Sequence, residues 1–290
     1  MQDFQKYLHQ FGYRINTIRG TLSGTKNFLE WCKTNKVNAN EASYTDLFNY
    51  LENIQKITPN KRTISAKIQA VRVYYNYLIK QSIRETNPLT DLRIKNTVRL
   101  LPHNIIKHEK LQEIYHSCKG EGVTGKRNRI MVGLMIWQAI STGELTAIEV
   151  NDIKIHEGKI YIPQVGRTNS RTLKLEAHQI IELQNYIQKT RPLLLAMSKK
   201  QSDKLIVSVG IGHQLNNTCA ALLKEVRRTH PEIKNTKQIR ASVISHWLKH
   251  CPIRQVQYMI GHRYVSSTER YSTKKIESLQ DQLEKLMPDI

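Results

Sequence analysis

The stretch that decides the fold runs from Lys237 to Lys275, KQIRASVISHWLKHCPIRQVQYMIGHRYVSSTERYSTKK. Ile239, Val243, Trp247 and Cys251 recur every four residues, a spacing that predicts a helix with one apolar stripe. Arg240 lies beside that stripe rather than opposite it, so its guanidinium is expected to be partly buried. A guanidinium taken out of water needs an anion, either a structural carboxylate or a bound phosphate. Pro252 stops the helix. A shorter helix follows and ends at Gly261, a C-cap glycine that turns the chain and presents His262. Tyr271 comes nine positions later in a polar, Ser/Thr-rich setting, just ahead of Lys274 and Lys275.

Charge is the strongest global property of the chain. Its 290 residues carry 45 Lys and Arg against 24 acids, a net charge of +21, which favours a polyanionic partner. Double-stranded DNA is the default, with salt-sensitive affinity through counterion release. A membrane partner is disfavoured: no apolar run approaches the roughly 18 residues of a membrane helix, and no basic-then-apolar leader opens the chain. A soluble, cytoplasmic, nucleoid-associated protein is expected. Cys32, Cys118, Cys219 and Cys251 are scattered without a paired spacing, and the histidines have none either, so no metal site is suggested.

The first 83 residues read as an all-helical domain, with segments near 14–34, 43–56 and 61–82. In the last of these, Ile64, Ile68, Val71, Tyr75 and Leu78 form one stripe. Arg62, Arg72 and Lys80 lie on the other side, together with Ser65, Gln69 and Asn76. That side is either a solvated face or a face laid on DNA phosphates. Residues 84–107 carry Pro88 and Pro102, many charges and no period, and are expected to be an extended linker. Residues 108–290 read as a second domain, mainly helical with a small antiparallel sheet. A short and then a strongly apolar helix open it. A hairpin follows around Glu157-Gly158, with a third strand at RTLKLEAH. Helices resume from Glu176 onward.

The order Arg240, Gly261-His262, Tyr271 resembles the signature of the tyrosine recombinases, or phage-type integrases, and is closest in pattern to integrases of bacterial mobile elements such as conjugative transposons. The resemblance implies an N-terminal, SAM-like core-binding domain, a basic linker and a catalytic domain. It implies integration or excision of a mobile element through a 3′-phosphotyrosyl intermediate, without metal or nucleotide cofactor. It also implies a synaptic tetramer on DNA, to which the amphipathic tail at Ile276, Leu279, Leu283 and Leu286 would contribute, and it allows an accessory DNA-bending protein. Tyr271 would be the nucleophile. Arg240 and His262 would contact the phosphate, whose non-bridging oxygens gain charge in the transition state.

Three positions depart from the pattern. Lys237 stands where the family has a His one turn before the arginine. The hairpin lysine that protonates the leaving oxygen is not evident, and Arg167, Arg171 and Lys174 are the candidates. Of these, Arg167 best matches the turn, although arginine is a poor proton donor. Most seriously, the position of the first catalytic arginine is Ser141. A lost donor of this kind typically costs about 10²–10³ in rate. A second reading therefore stays open: a weakened or inactive homologue retained for DNA binding or regulation.

Overall fold

The computed structural model describes residues 1–95, 104–199, 201–209 and 215–272. Two units emerge, Met1–Leu100 and Leu101–Ile290. The first is built from α1 (Gln2–Gln10), α2 (Ile15–Thr34), α3 (Tyr44–Ile57) and α4 (Lys61–Lys80). Two of these starts are dictated locally. Ser43 and Asp46 form a reciprocal capping box at α3, and the Asn60 side chain accepts from the Arg62 and Thr63 amides at α4. The Ile64, Ile68, Val71, Tyr75, Leu78 stripe of α4 is buried against Phe28 and Cys32 of α2 and Leu47, Leu51 and Ile54 of α3. Helices α2 and α4 approach closely at Gly24. A Cβ there would stand 2.6 Å from that of Ala70, closer than two carbons can come.

The expected linker begins later than its composition suggests. Arg84 donates to the carbonyls of Asn40 and Ala42 at 2.9 and 3.0 Å, and its guanidinium lies over the Tyr75 ring at 5.0 Å. Leu89 is fully buried in the first core. Arg72 corrects a second expectation. It does not stand free for phosphate: its Nε donates to the Leu89 carbonyl at 3.0 Å, and its other nitrogens bond the Leu92 carbonyl and the Gln69 amide oxygen. Polar side chains that hold backbone carbonyls leave no periodic trace, so this folding-back was invisible in the sequence. Arg62 and Lys80 are exposed as expected. At the other end, Ile106 already belongs to the second unit, its amide donating to Ser242 Oγ at 2.9 Å.

The second unit wraps around α6 (Gly122–Trp137), whose residues from Ile130 to Ile136 are all buried. Helix α5 (His108–Ser117) packs beside it, and the short α7 (Thr142–Ala147) follows. The sheet has the order β1 (Ile153–Lys154), β2 (Lys159–Ile162), β3 (Arg171–Lys174), all antiparallel. Gly158 takes φ +60° at the first turn. The chain continues through α8 (Ala177–Asn185), a π turn at Tyr186–Thr190, α9 (Arg191–Ser198), α10 (Leu215–Thr229), α11 (Thr236–His250), α12 (Ile253–Ile260) and α13 (Val265–Glu269). Helices α7 and α13 were not foreseen. The amphipathic tail at 276–286 lies outside the described residues.

Strand alternation fixes the fate of one charged residue. On β3, Arg171 and Leu173 face inward while Thr172 and Lys174 face outward. Arg171 pairs across the sheet with buried Ile162, so a guanidinium occupies a core position.

The contact at Gly24 can be tested directly. Gly24→Val should lower the unfolding free energy by about 1–3 kcal/mol, the usual range for overpacking. Urea denaturation measures it, and an unchanged midpoint would mean that α2 and α4 are not in this contact.

Candidate active site

The site is assembled around a buried carboxylate. Ser141 caps α7: its Oγ accepts from the Glu144 amide at 3.3 Å, while Glu144 Oε2 accepts from the Ser141 amide at 2.8 Å and from the Ser141 hydroxyl at 2.7 Å. A capping-box glutamate is commonly a surface residue; here its side chain is 0% exposed. Its second oxygen, Oε1, accepts from Arg171 Nη1 at 2.6 Å, and Oε2 also accepts from Arg240 Nη1 at 2.5 Å. Arg171 Nε donates to the Met259 carbonyl at 2.7 Å. Arg240 donates to the carbonyls of Ala139 and Ile260 at 2.5 and 2.8 Å. One carboxylate thus ties together the start of α7, strand β3, helix α11 and the end of α12.

Burial pushes the Glu144 carboxyl up, but the guanidiniums of Arg240 and Arg171 outweigh it and hold the group at about 2. Two guanidiniums against one carboxylate leave the cluster with an excess positive charge. Arg240 keeps donors beyond the three hydrogen bonds just named, since a guanidinium has five N–H groups. Its side chain is 13% exposed, whereas that of Arg171 is 0%. Arg240 therefore has both the donors and the access to meet an external anion, and Arg171 has no access.

The cluster also places His262. Gly261 ends α12 at φ +69°, and a Cβ there would meet both Arg171 Nη1 and the Asn169 carbonyl oxygen at 2.7 Å. Glycine is required on both counts. The Asn169 amide donates to the Gly261 carbonyl at 2.8 Å, and Thr168 pairs with His262 as an isolated bridge, so the β2–β3 turn is fastened to the histidine. His262 Nδ1 is 3.1 Å from Thr268 Oγ1. Burial, then the charges of Arg240, Arg171 and Arg270, lower the imidazole to about 4, so the ring is neutral at pH 7. The ring of Tyr271 is centred 6.0 Å from that of His262. The Tyr271 amide donates to the Thr268 carbonyl at 3.0 Å, and its own carbonyl accepts from Ser245 Oγ of α11 at 3.1 Å.

Arg240, on α11, and His262 and Tyr271, which follow α12 and α13, thus come from separate elements, with the rings of His262 and Tyr271 side by side. Lys237 is exposed on α11 one turn before Arg240. Arg167 is exposed in the turn fastened to His262. The other two hairpin candidates are corrected. Arg171 is locked in the carboxylate cluster, and Lys174 lies on the outer face of β3, paired with Lys159 at the opposite end of the strand. Ser141 does not offer a free hydroxyl, because that group is bound to Glu144. The carboxylate's organising role was missed in the sequence, although two signals carried it: the Ser-x-x-Glu capping pattern at 141–144 and the inward phase of Arg171 in RTLKL.

Comparison with known proteins agrees with this architecture. The family model described as "Phage integrase family" matches residues 104–277, and "Phage integrase, N-terminal SAM-like domain" matches residues 1–82. The chain is 24% identical over 300 residues to the tyrosine recombinase XerC of Lacticaseibacillus casei (strain BL23), covering 98% of this chain and 97% of the relative. It is 23% identical over 288 residues to XerC of Bacillus subtilis (strain 168), covering 96% and 92%. The XerH site-specific recombinase, solved as a post-cleavage complex on palindromic difH substrate, superposes with a TM-score of 0.71 at 15% identity, over 92% of this chain and 79% of that one. The Tn1549 transposon integrase in complex with a circular intermediate DNA gives 0.66 at 12% identity, over 97% and 98%. These structures share the fold.

The buried charges give acid unfolding a defined sign. Glu144 falls from 4.5 to about 2 on folding, so its stabilisation is complete above pH 4.5 and is lost as pH drops towards 2. His262 falls from 6.5 to about 4, so the unfolded chain takes up that proton first and stability declines as pH drops from 6.5 to about 4. Denaturant titrations across this range should show both losses. Glu144→Gln should remove the lower one, and a profile unchanged by that substitution would contradict the assignment.

Proposed function

The chain belongs to the phage integrase family, and from that premise we propose that it is a tyrosine-type site-specific recombinase acting on double-stranded DNA. The observation that carries this reading is the convergence of Arg240, His262 and Tyr271 around a buried cluster with excess positive charge. A scissile phosphate supplies the missing anion. Tyr271 Oη attacks the phosphorus, the bond to the 5′-oxygen breaks, and a 3′-phosphotyrosyl link and a 5′-hydroxyl result. The bond energy is kept in the new ester, so rejoining needs no external energy source. The free donors of Arg240 face the non-bridging oxygens, where charge develops. Neutral His262 adds a hydrogen-bond donor. Arg167, in the turn fastened to His262, braces the phosphate, and Lys237 adds a cation beside Arg240.

The wider assignment follows the same reading. The substrate is the end of a mobile element, integrated or excised within a tetramer of this chain on two duplexes, with an accessory bending protein where the site requires one. Residues 1–83 grip DNA through Arg62 and Lys80; Arg72 supports that domain from within. The protein works in the cytoplasm, on the nucleoid.

Ser141 favours a second reading, a recombinase disabled for cleavage and kept for DNA binding. Its hydroxyl is held by Glu144 at 2.7 Å and brings no charge to the phosphate.

One experiment separates the two. A nicked suicide duplex carrying the element's end is incubated with the protein and resolved on a denaturing gel. A covalent adduct that disappears in Tyr271→Phe is expected. An adduct that persists in Tyr271→Phe would refute the nucleophile. No adduct in wild type, with one restored in Ser141→Arg, would establish the disabled form. In the same assay, Lys237→Ala should slow single-turnover cleavage, and an equal rate would remove Lys237 from the site.

A further inference from the structure

Thr268 touches the site twice. Its side-chain oxygen is 3.1 Å from His262 Nδ1, and its carbonyl accepts the Tyr271 amide at 3.0 Å. The residue is 0% exposed. Its place at the end of the five-residue helix α13 puts it between the histidine and the tyrosine in sequence as well as in space.

The direction of the His262–Thr268 hydrogen bond can be decided from burial. A buried hydroxyl proton needs an acceptor, and among the described residues His262 Nδ1 is the one in reach. If Nδ1 carried the proton, it would donate to Oγ1 and the hydroxyl proton would be left without a partner at a fully buried position. That arrangement costs a desolvated donor. If Nδ1 carries the lone pair, the hydroxyl donates to it and both groups are satisfied. The ring proton then sits on Nε2. This is also the form that chemistry at a phosphate requires: an Nε2–H donates to a non-bridging oxygen, whereas an Nε2 lone pair would repel it. The neutral ring is consistent, because an imidazolium would place a proton on Nδ1 as well.

We propose that Thr268 is a positioning residue, whose hydroxyl holds His262 as the Nε2–H tautomer while its carbonyl anchors the backbone of Tyr271. The phosphate donor and the nucleophile are thereby set by one residue that meets neither DNA nor the reacting atoms. The inference rests on the recombinase reading for its catalytic consequence, but the tautomer itself is a property of the free protein.

Two measurements on the full chain test it. Long-range proton–nitrogen NMR of histidine-labelled protein at pH 7 reads the tautomer, with His262 assigned by its loss in His262→Gln. Wild type and Thr268→Ser should show His262 with its proton on Nε2, and Thr268→Val should show a mixed population. Single-turnover cleavage at saturating DNA should fall roughly tenfold in Thr268→Val, the size of one neutral hydrogen bond, with DNA affinity unchanged, and should recover in Thr268→Ser. An Nδ1–H tautomer in wild type would overturn the proposal. So would a Thr268→Val protein that keeps the wild-type tautomer, or one that cleaves at the wild-type rate. Absence of any cleavage in wild type would count against the recombinase reading instead, and the NMR result would still decide the tautomer.

Discussion

Everything in the second unit that bears on chemistry depends on one buried carboxylate held between two guanidiniums. A carboxylate out of water is unstable by several kcal/mol unless its oxygens are matched. Glu144 is matched on both, by Arg171 on one oxygen and by Arg240 and the Ser141 cap on the other. The constraint is mutual. Arg171 occupies a strand position meant for an apolar side chain, and without Glu144 its guanidinium would be a buried charge lacking its carboxylate. Arg240 is aimed by the same contact, and Gly261 is forced to be glycine by the guanidinium packed against it.

This arrangement divides the work between two arginines. Arg171 is sealed and structural; Arg240 is bound on one side and open on the other. With Ser141 engaged in the cap, the open charge of the proposed site would come from Arg240 and from the exposed Lys237 and Arg167. On the proposed reading, Tyr271 is the nucleophile and the site carries less fixed charge than the resemblance to tyrosine recombinases implies. Fixed charge aimed at a developing oxyanion is usually the largest single contribution to such a reaction, so on that reading Ser141 would bear on rate more than on fold. The fold tolerates it because serine is a good N-cap.

Much of this was legible in the sequence, for physical reasons that can be named. The helices of the first unit and the three strands of the second follow from periodicity and turn residues. A helix, a glycine cap and a fixed count of residues set the order of Arg240, His262 and Tyr271, and the resemblance to tyrosine recombinases implied that they meet. What was not legible depends on contacts distant in sequence. Arg171 meets Glu144 across 27 positions and Arg240 meets it across 96. The capping pattern at 141–144 and the inward phase of Arg171 each hint at this cluster, but neither alone records that the capping glutamate is buried. Arg72 and Arg84 are similar: each reads as a solvated cation until the carbonyls it holds are seen. The later start of the linker was missed for the same reason.

The mutual dependence of Glu144 and Arg171 is best measured by a double-mutant cycle on unfolding free energy, using Glu144→Gln, Arg171→Met and the double variant at pH 7. Each single change leaves a buried group without its partner and should cost about 3 kcal/mol, while the double change should cost much less than the sum of the two. A coupling of at least about 2 kcal/mol is the expected result. Additive losses would mean that the two residues do not depend on each other, and that the site is held together by something else.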